Sequence, residues 1–123
     1  MTNLPQKVIS SDEMFGKPIS EYSDEHALED GVLIDLTQLT KLQFHGLPIN
    51  RMTRHLLHGF KPELDSEEDT KMFGYYLRWV FRTKFALAQR SPDSVGDIWW
   101  LPPNIWLVLN DVGGWTAMYP EDY

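Results

Sequence analysis

His55 and His58 are three residues apart, so on a helix their imidazoles would lie one turn apart and could ligate a single ion. A zinc site needs three or four ligands. Glu63 and Asp65 follow in a stretch that reads as loop, and Arg54 beside His55 repels a cation, so neither a metal nor a cofactor is expected. The same histidines would serve a small enzyme as acid or base, the last-ranked of three functional readings. Nucleophilic catalysis has less support still. The chain lacks cysteine and a Gly-x-Ser-x-Gly elbow, and Ser10, Ser23, Ser66 and Ser91 read as caps and turns. The acidic runs Glu29-Asp30, Glu67-Glu68-Asp69 and Glu121-Asp122 fall at element ends, where carboxylates are solvated, and Gly113-Gly114 lacks the spacing of a phosphate loop.

Cations form the clearest remaining pattern. Pro48 suits the first turn of a helix, and Ile49, Met52, Leu56, Leu57 and Phe60 recur at three- and four-residue steps, which predicts an amphipathic helix ending near Gly59. On that helix Arg51, Arg54, His55 and His58 form one polar stripe at i, i+3, i+4 and i+7. With Arg78, Arg82, Lys84 and Arg90 the stripe is a candidate contact for an anion such as nucleic acid. Acids flank every basic segment, so the plainer reading is an internal seam of ion pairs.

The elements that would position these residues follow from caps and periodicity. Ser23 before Asp24 and Glu25, with Gly31 as the stop, predicts a short helix over 24–30; Val32 to Leu36 reads as a strand or extended connection, and Thr37 caps a helical turn through Leu42. Ser66 with Asp69 opens a long central helix to about Gln89, its buried side traced by Met72, Phe73, Tyr76, Leu77, Val80, Phe81, Lys84 and Leu87. Ser91-Pro92-Asp93 ends it. Ile98–Leu101, Ile105–Asn110 and Trp115–Tyr119 then read as strands of an antiparallel meander. The expected class is α+β, with two to three helices packed on a C-terminal sheet of three to four antiparallel strands. Residues 1–22 read as an extended arm and residues 23–123 as one domain.

Length and charge bound the function further. At 123 residues the chain suits one domain, and its formal charge of −7 resolves into alternating blocks. Residues 1–35 carry −6, 36–59 carry +3, 60–70 carry −4, 71–90 carry +5 and 91–123 carry −5. Local fields therefore matter more than the total, because screening removes most of what lies beyond about 8 Å. The start Met1-Thr2-Asn3-Leu4-Pro5 shows no leader pattern and no apolar run approaches a membrane span, so a cytoplasmic location without a membrane partner is expected.

Trp99, Trp100, Trp106 and Trp115 crowd the last quarter of the chain, and neighbours in a strand point to opposite faces. The side away from the helices needs a cover: the N-terminal arm, a second copy, or a partner. The segment His26-Ala27-Leu28-Glu29-Asp30-Gly31-Val32-Leu33-Ile34-Asp35-Leu36-Thr37, followed by Leu47-Pro48-Ile49-Asn50-Arg51-Met52-Thr53-Arg54, resembles an uncharacterised family of small bacterial, plasmid and phage proteins. Its members carry an Ala-x-x-Asp-Gly-Val-Leu-x-Asp segment, and here Ala27 is followed by Leu28, Glu29, Asp30 and Gly31. The resemblance implies an accessory or counter-defence role and no catalytic residue. The expectation is thus a non-enzymatic protein that binds another protein through Trp99, Trp100, Trp106, Trp115, Glu29, Asp30 and Asp35. Nucleic acid bound by Arg51, Arg54, His55, His58, Arg78 and Arg82 is the alternative, and self-association is compatible with either.

Overall fold

The structure, a computed structural model, describes residues 18–39, 41–90 and 97–123. The Ser23 hydroxyl accepts the His26 amide at 3.2 Å and opens helix α1 (Asp24–Glu29), which stops where Gly31 takes a φ of +74°. Strand β1 (Leu33–Asp35) follows. Residues 37–39 make a turn, not the expected helical segment, because the Asp35 carboxylate accepts the Thr37 amide at 2.9 Å and reverses the chain there. Strands β2 (Gln43–Phe44) and β3 (Leu47–Thr53) form a hairpin across His45 and Gly46, both at positive φ.

Strand β3 replaces most of the predicted Pro48 helix. Helix α2 (Arg54–Phe60) begins only after Thr53, whose hydroxyl accepts the Leu56 amide at 3.2 Å. Two features explain the difference. Pro48 sits near the start of the strand, before its pairing with the next strand begins at Ile49, so its missing N–H interrupts nothing there. A bulge between Ile49 and Arg51 then turns Ile49 and Met52, three residues apart, into the same core. The bulge imitates a helical period.

Ser66 accepts the Asp69 amide at 3.0 Å and opens the long helix α3 (Glu67–Phe85), as the capping pair predicts. The helix ends earlier than expected because Gln89–Arg90 forms a short strand, β4, paired with Arg90 opposite Trp99. The predicted stop at residues 91–93 lies outside the described residues, as do residues 1–17 of the predicted arm; Ile19–Glu21, at its end, forms a 3-10 turn. Strands β5 (Ile98–Leu101), β6 (Ile105–Leu109) and β7 (Trp115–Met118) make the expected antiparallel meander.

The fold is α+β, with a larger sheet than the three to four strands expected. Among the described residues seven strands lie in the order β1-β3-β7-β6-β5-β4, with β2 also on β3. Their pairings are antiparallel except β3 with β7, which is parallel and joins the two halves of the chain. One sheet face carries Leu101, Leu107, Trp115 and Ala117 against Phe73, Leu77 and Phe81 of α3 and Leu56 of α2. On the other, Ile98, Val108 and Met118 pack with Ile19 and Trp106. Among the described residues, no helix is long and apolar enough to cross a membrane.

Gly74 lets α3 approach the turn at residues 37–39, because a Cβ there would lie 2.3 Å from the Leu39 carbonyl oxygen. A solvent-facing Gly→Ala change within a helix stabilises by about 1 kcal/mol. At Gly74 the sign reverses: Gly74→Ala is expected to destabilise by about 1–3 kcal/mol in urea unfolding, since backbone must move to admit the methyl.

Candidate functional site

The predicted cationic stripe is divided between a strand and a helix; Arg51 is held inside the fold, whereas Arg54 is exposed and bonds a surface carbonyl. Arg51 on β3 donates from Nε to Asp24 Oδ1 at 3.0 Å and from Nη1 to Asp35 Oδ1 at 3.2 Å, with both Arg51 and Asp24 largely buried. Arg54 donates from Nε to the Gly31 carbonyl, closing the end of α1. Arg51 acts as an internal fastener, the seam reading of the sequence. Asp35, expected in a partner contact, pairs with Arg51 in this cluster and is exposed, as are Glu29 and Asp30 at the end of α1. Hydrogen bonds from the Thr37 hydroxyl and amide, and then the Arg51 charge, hold the Asp35 carboxyl below its ordinary range.

The four C-terminal tryptophans are not one exposed surface. Trp115 is core, 4% exposed, and its indole N–H donates to the Phe44 carbonyl at 2.9 Å. It therefore leaves the list of contact residues. Trp99 is half-buried between Phe44 and His45, with ring centroids 5.5 and 4.5 Å away. Trp100 and Trp106 stand opposite each other across β5 and β6, both half-buried, and Trp106 lies 6.1 Å from the Tyr123 ring.

Behind α2 lies a polar cluster that sequence reading missed because Asp122 looked like a solvated terminal acid. Asp122 is 5% exposed. Its carboxylate accepts the Thr53 hydroxyl at 2.8 Å, His55 Nδ1–H at 2.7 Å and the Tyr119 amide at 3.2 Å. The carboxylate only accepts, so it assigns the imidazole proton to Nδ1 and fixes the ring. Among the described residues no group of three or more His, Cys, Asp or Glu is arranged to hold a metal. The Tyr119 ring meets His55 edge-on at 4.7 Å, and burial, then Asp122 and Glu121, raises its phenol above the usual range. At neutral pH it remains a hydroxyl.

The Tyr119 hydroxyl rests against Gly59, where a Cβ would lie 1.8 Å away, and helps line an open groove of about 400 Å³ between α2, α3 and the β5–β6 turn. Its rim is the outer face of α3. Met72, Tyr75, Tyr76 and Trp79 are 55, 51, 47 and 61% exposed, against the expectation that Met72 and Tyr76 would be buried. The helix has more apolar residues than one sheet face can cover: Phe73, Leu77, Val80 and Phe81 fill the core, leaving the i, i+3, i+4, i+7 set outside. Leu87, expected at the buried end, is 64% exposed because the helix has already ended. Tyr76 stacks on Trp79 at 6.2 Å, and the Arg78 guanidinium lies 4.6 Å from the Tyr75 ring centre. Arg82 is exposed on the same helix. The chain matches no family model, no curated protein and no solved structure.

Removing the Asp122 carboxylate strands three buried or half-buried donors, so Asp122→Ala should cost about 3 kcal/mol in thermal or urea unfolding. Asp35 gives a pH test. Its lowered value means its stabilisation is complete above about pH 4–5 and is lost as pH falls through that value. The urea midpoints of wild type and Asp35→Asn are therefore expected to differ at pH 6 and to converge in stronger acid.

Proposed function

We propose that the chain is a non-enzymatic protein that works by binding another protein, and that its docking surface is the outer face of α3 with the adjoining groove. The observation that carries this is the exposure of Met72, Tyr75, Tyr76 and Trp79 as one continuous strip on a rigid helix. Contiguous exposed aromatic and methionine side chains are the composition of interface centres, with Trp and Tyr the commonest hot spots. The helix holds them in place before a partner arrives, which lowers the ordering cost of association.

This moves the expected contact from the tryptophan-bearing sheet to Trp79, the one tryptophan outside that group. The accessory role implied by the family resemblance of residues 26–37 is compatible with such a surface, since binding needs no catalytic centre. The nucleic-acid alternative is weakened, because Arg51 is paired within the fold and Arg78 lies on Tyr75.

Affinity capture from the encoding cell tests the reading, using wild type, Trp79→Glu and Trp100→Ala as bait. Loss of a captured protein with Trp79→Glu and its retention with Trp100→Ala is the expected result. Capture indifferent to Trp79 would remove the α3 face from the interface. Capture of nucleic acid that weakens steeply with salt and depends on Arg82 would favour the alternative.

A further inference from the structure

The exposed residues of α3 are arranged symmetrically along the helix. Tyr75 and Tyr76 straddle its middle, Met72 and Trp79 are equidistant from the midpoint between them, and so are Glu68 and Thr83. Leu64 and Leu87, just outside the two ends, are again equidistant and are 43 and 64% exposed. A strip centred on one point of the helix suits a two-fold axis, because an isologous contact sets the same patch against itself.

The charges share this design. Glu67, Glu68 and Asp69 occupy the first turn, and the only charges after Lys71 are Arg78, Arg82 and Lys84. Two copies of α3 laid parallel would set acids on acids. Laid antiparallel about the Tyr75–Tyr76 midpoint, they set the acidic turn of each beside the cationic half of the other and oppose their dipoles. At 3.6 residues per turn, Glu68 then lies on the flank that carries Arg82, about level with it. Met72 of one copy comes level with Trp79 of the other, at the mouth of the groove lined by Phe60, Tyr76, Thr83 and Tyr119.

We infer that the α3 face is a self-association surface: two copies of this chain pair through α3 in antiparallel fashion, with Met72 of each entering the groove beside Trp79 of the other. The inference rests on the reading of the α3 face as a docking surface and names its occupant as a second copy. Antiparallel helices packed about 8–10 Å apart bring facing Cα atoms near the axis within about 5 Å, close enough for a disulfide.

The test is the oligomeric state of the full chain by sedimentation equilibrium, with cross-linking as a second measurement. Wild type is expected to be a dimer, and Trp79→Glu to raise its dissociation constant by about thirtyfold or more. Glu68→Arg and Arg82→Glu should each weaken the dimer by about tenfold, and the double variant should regain most of the loss, because each reversal counts twice across the axis. The chain has no cysteine, so Tyr76→Cys should form a disulfide-linked dimer under mild oxidation, while Leu109→Cys, exposed at the C-terminal end of β6, should not. A wild-type monomer at high micromolar concentration, a dimer indifferent to Trp79→Glu, or equal cross-linking at both cysteines would each overturn the inference. If the chain is monomeric yet capture of a different protein is lost with Trp79→Glu, only the second copy is wrong. If capture also ignores Trp79, the docking surface itself is wrong.

Discussion

The parallel pairing of β3 with β7 is the constraint on which the rest of the molecule depends. Among the described residues it is the only strand pairing that joins the hairpin half of the chain to the meander half, and it places β3 inside the sheet with both edges paired. Ile49 and Met52 therefore enter the core, while Asn50, at the bulge, is left as a buried polar side chain needing partners. It finds them in the β6–β7 loop, donating to the Val112 carbonyl at 3.1 Å and accepting from Asn110 at 2.9 Å. Gly114 makes that closure sterically possible, since a Cβ there would lie 2.5 Å from the Pro48 carbonyl oxygen.

The same pairing fixes the orientation of the helices. With β3 central, Thr53 ends the strand, caps α2 and reaches Asp122, so a single side chain links sheet, helix and the final turn. Helix α2 then lies beside α3, with Phe60 and Tyr76 ring centres 6.1 Å apart, and the two helices together cover one sheet face. What is left over is the outer strip of α3. Its exposure follows from geometry, because a helix with apolar residues around much of its circumference cannot bury them all against one layer.

Much of this was legible in the sequence where the signal is local. Ser23 with Gly31 and Ser66 with Asp69 mark helix ends through hydrogen bonds made within a few residues, and the structure places both helices there. The C-terminal strands were legible because aromatic and β-branched runs alternate with turn residues. Strand β3 was not, because the bulge at Asn50 gives Ile49 and Met52 a spacing of three, and Thr53 as a cap lies hidden inside the run. For the candidate site, the alternating charge blocks favour an internal seam for Arg51, but which carboxylates it meets is not legible because Asp24 and Asp35 are distant in sequence. Asp122 was passed over for the same reason, and Trp79 because its period matched the core face of α3 nearly as well as its outside. What local pattern could not supply, in each case, was which other element arrives to pair or to cover.

The 69-residue separation between Thr53 and Asp122 has a consequence for how the chain is made. Strand β3 emerges from the ribosome well before β7, and the carboxylate that secures its end does not exist until 69 residues after Thr53 have been added. Closing such a long loop is slow, and nucleation within the first half gains little without β7 to cover it. The segment from Leu47 to Leu57, with its apolar residues uncovered, therefore waits for its native neighbours, a stretch suited to holding by a chaperone. Strand β7 and the turn that carries Asp122 act as the latch.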